Sequence, residues 1–349
     1  MNKNIPLIPA RYYLRLLDLL NQRNIPLSEI MQNSGLDANM FIQIEDAKLS
    51  IQHIEQFIEF CLKYPQNSDL AFELGSLLKL SSHSLVGYGV LTSQTAEQAI
   101  QLVAQYFKLI IPNFQLVVKK EQHILWLIFE PTMQMTHLTL HFHLEAITIA
   151  FYHNLIEILG AHLPHYHIYT SLHEPRHLEK YQKLHKAQFH FSTLNTPSIQ
   201  FALPKEVLLT NLPMADEFSL KMVEQRCQEL LKQLSNSGEI AAWLRMMLRE
   251  AYQLPSLSDC AKILNISTKT LQRYLKKQNA DFQQIRMQVL MERAKYMLEE
   301  TDKTITDIAD ELGYATTTNF GRTFKQQTKM TPLAYRHATH QKTISSDGL

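Results

Sequence analysis

The strongest constraint on this chain lies near its C-terminal end, where one construction is written twice. Residues 256–277 read SLSDCAKILNISTKTLQRYLKK, and residues 304–326 read TITDIADELGYATTTNFGRTFKQ. Ala261 and Asn265 correspond to Ala309 and Gly313 at a spacing of 48 residues, whereas Arg273 and Lys276 correspond to Arg322 and Lys325 at 49. The extra residue therefore falls in or just after the turn, where a loop absorbs it. In each copy an apolar stripe at helical spacing (Leu257, Ala261, Ile263, Leu264; Ile305, Ile308, Ala309, Leu312) predicts a first helix. Asn265 and Gly313 suit the left-handed conformation that ends a helix in a tight turn, and Ser267 and Thr316 then suit the N-cap of a second helix.

The second helices have two faces. Leu271, Tyr274, Leu275 and Phe320, Phe324 form the apolar sides. The opposite sides hold Lys269, Gln272, Arg273, Lys276 and Thr317, Thr318, Asn319, Arg322, Lys325. A helix bundle with an ordinary solvated basic face is the bland account of one such unit. Two units with the same polar-basic second helix favour a pair of helix-turn-helix motifs, whose second helices enter a major groove and read base edges.

These residues resemble the DNA-binding domain of the AraC/XylS family of bacterial transcription regulators. The second copy carries the likeness most specifically: Ile305, Ile308 and Ala309, the run Leu312-Gly313-Tyr314, then Phe320, Arg322, Phe324, Lys325, Thr331-Pro332 and Tyr335-Arg336. Between the copies, Ile285, Arg286, Arg293, Ala294 and Leu298 match that family's long connecting helix. Lys329 stands where the family usually has glycine. The resemblance implies that Lys269, Gln272 and Arg273 of the first helix and Thr317, Thr318, Asn319 and Arg322 of the second face bases. Lys276 and Lys325 then hold phosphates and set register. It also implies double-stranded promoter DNA, RNA polymerase and a small organic effector as partners, with activation as the common outcome.

Charge distribution agrees with that reading. The net charge is only +1, but residues 240–349 hold 16 Lys+Arg against 11 Asp+Glu, leaving 18 against 22 in residues 1–239. The basic end is the repeated one, as phosphate contact requires. Cys61, Cys227 and Cys260 are widely spaced, with no Cys-x-x-Cys, so neither a disulfide framework nor a zinc knuckle is expected and a cytoplasmic location fits. No long apolar window predicts a membrane span or export signal.

The N-terminal half mixes helix and strand. Leu14, Leu17 and Leu20 predict a helix ended by Asn24-Ile25-Pro26, Ser50 caps another, and Thr95 with Gln98 has capping-box spacing. FQLVVKK and HILWLIFE, around Glu121-Gln122, predict a hairpin. A helix from Leu138 to Leu159, a strand HYHIYT, a helix near Arg176–Lys186 and strands AQFHF and SIQFAL follow. The order of phrases, including Gly87-Tyr88-Gly89-Val90-Leu91 and Phe189 with Phe191, resembles the arabinose-binding-like effector domain of one AraC subgroup. The expected architecture is an α+β N-terminal sensor domain followed by an all-α DNA-binding domain with two helix-turn-helix motifs. Its boundaries are an effector and self-association domain at 1–212, a linker helix at 213–238, the DNA-binding domain at 239–340 and a tail at 341–349. In the linker, Leu220, Val223, Cys227, Leu230 and Leu234 alternate at three-four spacing, as in a short coiled coil through which a homodimer could form; packing on its own domain is the alternative.

Histidines cluster at 137, 141, 143, 153, 162, 165, 167, 173 and 177. His137, His141 and Glu145 stand four apart on one predicted helix, a spacing that can share a metal, yet no known metal-site signature accompanies them, and no metal or cofactor is expected. Trp126, Phe129, Phe142 and Tyr152 could line a pocket or simply fill a core. There is no G-x-S-x-G elbow, P-loop or dinucleotide fingerprint, and no catalytic residue is assigned. The rival readings are a His-rich metal-dependent enzyme fused to a DNA-binding tail and an architectural DNA binder without effector; the reading adopted is an effector-responsive regulator, not an enzyme.

Overall fold

A computed structural model describes residues 7–34, 36, 48–233, 240–264 and 266–346. The chain forms two compact units, Met1–Met246 and Met247–Leu349.

The first unit begins with β1 (Leu7–Pro9), α1 (Arg11–Gln22), α2 (Leu27–Ser34), β2 (Lys48–Ser50), α3 (Ile51–Leu62), α4 (Leu70–Leu77), α5 (Ser84–Thr92) and α6 (Ala96–Ile110). β1 pairs antiparallel with β2. Ser50 caps α3 by accepting from the His53 amide, and Thr95 caps α6 by accepting from that of Gln98. The Gln98 side chain returns its bond to the Gln94 amide. Among the described side chains of α1, Tyr12, Tyr13, Leu16, Leu19 and Leu20 are buried and Leu17 is half-buried; the side chain of Leu14 lies outside the described residues. Of the expected stripe Leu20 is thus inside and Leu17 at the margin, with the two tyrosines turned inward beside it.

A five-stranded sheet follows, from β3 (Phe114–Glu121) and β4 (Ile124–Pro131), then α7 (His137–Leu159), β5 (Tyr166–Thr170), α8 (Leu178–Tyr181), β6 (Ala187–His190) and β7 (Ile199–Pro204). Its order is β3-β4-β7-β5-β6, antiparallel throughout except for β5 and β6. The hairpin turns at Gln122-His123, one residue later than expected, with Gln122 at φ 47°. The helix expected across 176–186 is a single turn, α8. Tyr181 is pinned there by its hydroxyl, which donates to Glu145 Oε1 at 2.8 Å, and the chain turns at Leu184 into β6. This is the α+β architecture expected of the N-terminal half.

Two glycines explain the phrase at 87–89. A Cβ on Gly87 would lie 1.9 Å from the Leu80 carbonyl oxygen, and one on Gly89 would lie 2.9 Å from Val223 Cγ1. Val223 belongs to α9 (Glu217–Gln233), which packs on α5 and α6. Leu220, Val223 and Cys227 are buried within this unit, so the coiled-coil stripe is used internally; Leu230 is half-buried, and Leu234 lies outside the described residues. The next helix, α10 (Ile240–Glu250), contains the division between the units. Trp243 is buried in the first unit and its Nε1–H donates to the Pro131 carbonyl at 2.7 Å, which moves the limit of that unit beyond residue 239. The polar run Ser235–Gly238 lies outside the described residues.

The second unit is all helix: α11 (Leu257–Ile263), α12 (Thr268–Lys277), α13 (Phe282–Glu300), α14 (Ile305–Glu311), α15 (Thr317–Thr328) and α16 (Pro332–Ser346). The duplication extends to its caps. Ser256 and Thr304 each accept from the amide of an aspartate three residues on, and Asp259 and Asp307 each accept from the cap amide in return. Leu290, Met291, Ala294 and Leu298 of α13 pack with Ile308, Ala309, Phe320 and Phe324 in one core. Gly313 ends α14 at φ 76°, as its residue type suggested; Asn265 lies outside the described residues. Lys329 ends α15 at φ 68°, a left-handed conformation that explains the usual glycine there.

Two measurements test this description. Lys329→Gly removes the Cβ strain and should raise the stability of the second unit by about 0.5–1 kcal/mol in chemical denaturation; a loss would show that the lysine conformation is unstrained. In the first unit, burial pushes His83 and His143 down to about 4, with Arg11 adding to the depression at His83 and the Thr139 carbonyl opposing it at His143. Unfolded histidines titrate near 6.5, so the unfolded chain takes up protons first as pH falls. The stability these groups contribute is complete above about 6.5 and is lost as pH drops toward 4. The urea midpoint of the first unit should fall between pH 7 and pH 5; an unchanged midpoint would contradict the burial of these rings.

Candidate nucleic-acid interface

In both copies the second helix is sorted by its packing. On α12, Leu271 and Leu275 are buried, and Lys269, Gln272, Arg273 and Lys276 are exposed at i, i+3, i+4 and i+7, one continuous face. On α15, Phe320 and Phe324 are buried while Thr318, Asn319, Arg322 and Lys325 are exposed. Thr317 stands apart from the others. It is half-buried, and its hydroxyl lies 3.4 Å from Thr306 Oγ1 of α14. Ser267 and Thr316 face solvent at the N-caps, accepting from the amides of Thr270 and Asn319 at 3.1 and 3.2 Å. The first turns of both helices therefore combine exposed donors with the positive end of the helix dipole, a setting that favours an anion.

Charge pairing separates the basic residues into two groups. Arg293 is spent inside the unit, its guanidinium donating to the carbonyls of Leu248, Arg249, Ala251 and Tyr252 at the end of α10. Arg336 donates to the carbonyls of Leu298 at 3.3 Å and Lys303 at 2.7 Å, capping α13. Arg249 pairs with Glu292 and Lys303 with Glu311. By contrast, Lys269, Lys276, Lys277, Arg322 and Lys325 make no ion pair among the described residues, and the Arg273 guanidinium lies over the Tyr274 ring at 5.6 Å. Unpaired cations on one helix face cost little in water and gain when phosphates approach. Lys277, exposed at the end of α12, belongs with this group although the sequence reading passed over it; its place after Lys276 was the available signal.

α13 has 19 residues, hence a length of about 28 Å at 1.5 Å per residue. It joins the two copies as one continuous helix.

His137 and His141 come together on α7, their ring centroids 4.0 Å apart. Glu145 Oε1 accepts from the Tyr181 hydroxyl at 2.8 Å and meets His177 Nε2 at 2.7 Å, so it is committed away from the expected alignment with His137 and His141. Burial, and after it the neighbouring Glu145 carboxylate, raise the Tyr181 hydroxyl well above its ordinary value. His167 meets His190 at 3.0 Å, and His173 meets Ser192 at 2.9 Å. Phe129, Phe142 and Tyr152 are buried, and Trp126 stacks near Tyr169 on the sheet. Among the described residues no helix is long and apolar enough to cross a membrane.

Comparison with known proteins places both parts. Residues 260–338 match a helix-turn-helix domain, and residues 25–204 match the arabinose-binding domain found at the N-terminus of AraC transcription regulators. The chain is 24% identical to the ornithine utilization regulator of Pseudomonas aeruginosa, over 97% of its own length and 98% of that protein's. It is 23% identical to the transcriptional regulator VqsM of the same organism, covering 76% of this chain and 83% of the other. Among solved structures, the transcriptional regulator CdpR from Pseudomonas aeruginosa superposes with a TM-score of 0.43 at 17% identity, over 93% of this chain and 98% of that one.

A division of labour between the exposed cations is testable. Arg322→Ala should cost ~1–3 kcal/mol on a cognate site and little on random DNA, whereas Lys325→Ala should weaken all DNA alike and flatten the salt dependence. Equal losses on specific and random DNA for Arg322→Ala would remove its base-reading role.

Proposed function

The chain belongs to the AraC-type transcription regulators, and on that premise we propose that it is an effector-responsive activator that reads two successive major grooves with α12 and α15. The family makes it a DNA-binding regulator whose N-terminal domain takes a small molecule. The observation that carries the finer reading is the exposed face of unpaired cations and amides repeated on two capped helices. In this reading Lys269, Gln272 and Arg273, with Thr317, Thr318, Asn319 and Arg322, meet base edges. Lys276 and Lys325 hold phosphates. The half-buried Thr317 contributes through its methyl group or by orienting Thr318, since its hydroxyl is turned toward Thr306.

RNA polymerase beside the promoter is the protein partner of this reading. Self-association is assigned to the first unit. The internal use of Leu220, Val223 and Cys227 leaves the outer side of α9 for it, where Phe218 is 75% and Met222 55% exposed. Apolar side chains of that size, so exposed on one helix, favour a partner surface. An enzyme fused to a DNA-binding tail would draw on His137, His141 and Glu145 together, and Glu145 is held by His177 and Tyr181 instead.

Selection of genomic fragments by the purified protein at moderate salt tests the reading. The expected product is a motif with two half-sites one helical turn apart. Retention without a motif would leave only general phosphate binding and overturn specific regulation.

A further inference from the structure

The first unit holds a cavity of about 100 Å³ between α1, α5, α6 and α7, lined among others by Ala99, Val103, Phe107, Phe129, Ala146 and Ala150. Its wall contains no Asp, Glu, Lys or Arg. Arg11, whose charge is felt at His83, is not part of it. The polar groups that do reach the wall are Tyr12, Tyr13, His83, His143 and Asn154.

Hydrogen-bond accounting separates these five. The Thr139 carbonyl can only accept, so His143 Nδ1, at 2.7 Å, carries the proton. His143 Nε2 is then an acceptor and takes the Tyr13 hydroxyl at 2.7 Å. That pair is closed. At the other end of the network, Asn154 Nδ2 lies 3.1 Å from His83 Nε2, and His83 Nδ1 lies 3.1 Å from the Tyr12 hydroxyl. Asn154 Oδ1 is buried and has no partner. Reversing the amide does not remove the vacancy. It puts the oxygen on His83 and leaves the NH2 unmet instead. One polar valence of a 5% exposed side chain therefore stays open at the edge of an apolar cavity, a costly arrangement unless something completes it.

We infer that this cavity is the effector site and that its ligand is a small, uncharged, aliphatic molecule with a single hydroxyl-type head seated on Asn154. The inference rests on the reading of the first unit as the effector-binding part. A hydroxyl both donates and accepts, so it satisfies either orientation of the amide. A charged head would be buried at a wall without a charged residue, and the nearby Arg11 guanidinium is already engaged by the Leu109 carbonyl and the Tyr12 hydroxyl. A polyol would bring hydroxyls for which the wall has no partners. By comparison with apolar cavities of about 150 Å³ that take benzene, this one of about 100 Å³ holds about four non-hydrogen atoms.

The test uses the full-length protein with 1-propanol, propanoate and glycerol, which share a three-carbon chain. In methyl-labelled protein, 1-propanol should give nuclear Overhauser contacts to the methyls of Ala99, Ala146 and Ala150. It should bind at least about tenfold more tightly than either other compound, the equivalent of one well-made hydrogen bond or one avoided buried mismatch. Asn154→Leu should keep the contacts while weakening 1-propanol about tenfold. Should that variant misfold, the wild-type contacts and the ranking of the three compounds still decide. Contacts elsewhere, equal or better binding of propanoate or glycerol, or no binding of 1-propanol each overturn the inference. DNA retention measured on the same preparation keeps the two readings apart. Retained DNA without 1-propanol binding sinks the cavity ligand alone, and 1-propanol binding without retained DNA sinks the regulator reading alone.

Discussion

A helix of ten or twelve mostly polar residues does not hold its shape alone in water. Everything exposed on α12 and α15 therefore depends on what those helices bury. Leu271 and Leu275 do this for the first, Phe320 and Phe324 for the second. Each such side chain contributes about 1.5–3 kcal/mol of burial. The two phenylalanines gain further from tilted ring contacts at 5.7 Å with each other and 5.3 Å between Phe320 and Tyr314. Ala261 and Ala309 are both buried, and each fills its place in the first helix with only a methyl group. A larger residue there would push the second helix outward and with it the whole polar face. The exposed polar face is thus set by alanine as much as by arginine.

The same economy governs charge. A helix C-terminus leaves carbonyls without partners, and this unit meets that need with Arg293 at α10 and Arg336 at α13. Those two arginines count toward the basic balance of the C-terminal third, but their guanidiniums are anchored on backbone carbonyls within the unit. The net excess that can act on DNA is carried by lysines and arginines that lie on the outer faces of α12 and α15. Composition gives the sign of the field, while hydrogen bonds decide where it is available.

What could be read from the sequence is what local rules encode. Ser267, Thr316 and Gly313 announce helix ends through their own backbone chemistry, and the apolar stripes of α11, α14 and α15 need no distant partner to be recognised. Asp259 and Asp307 could have been added, since each stands three residues after a capping hydroxyl. The misreadings share a different cause. Leu17 stands at the margin and Tyr12 and Tyr13 inside because that choice is settled by what α1 packs against. The α9 stripe looks the same whether it meets another copy or its own α5, and only Gly89 opposite Val223 records which. Residues 176–186 have helical composition, but the hydroxyl of Tyr181 is held by a carboxylate 36 residues earlier. The cavity was hidden for the same reason. Its wall is drawn from helices far apart in sequence, and its residues are the ones that would fill a core.

The two copies, alike in fold, differ in what they offer DNA. α12 presents Lys269, Gln272, Arg273, Lys276 and Lys277, long side chains of which four are cationic. α15 presents Thr318, Asn319, Arg322 and Lys325, with two short uncharged groups in the first turn. Long flexible cations reach phosphates from many positions, so they add affinity that is tolerant of register. Short side chains reach a base edge only when the backbone itself lies deep in the groove, so they discriminate by fit. On the proposed docking, the first copy supplies more of the salt-dependent attraction and the second is the stricter reader. The strained Lys329, the last residue before the turn into α16, fits that arrangement: a lysine there adds one more exposed cation beside the stricter helix, and the left-handed backbone it tolerates is the cost of placing it.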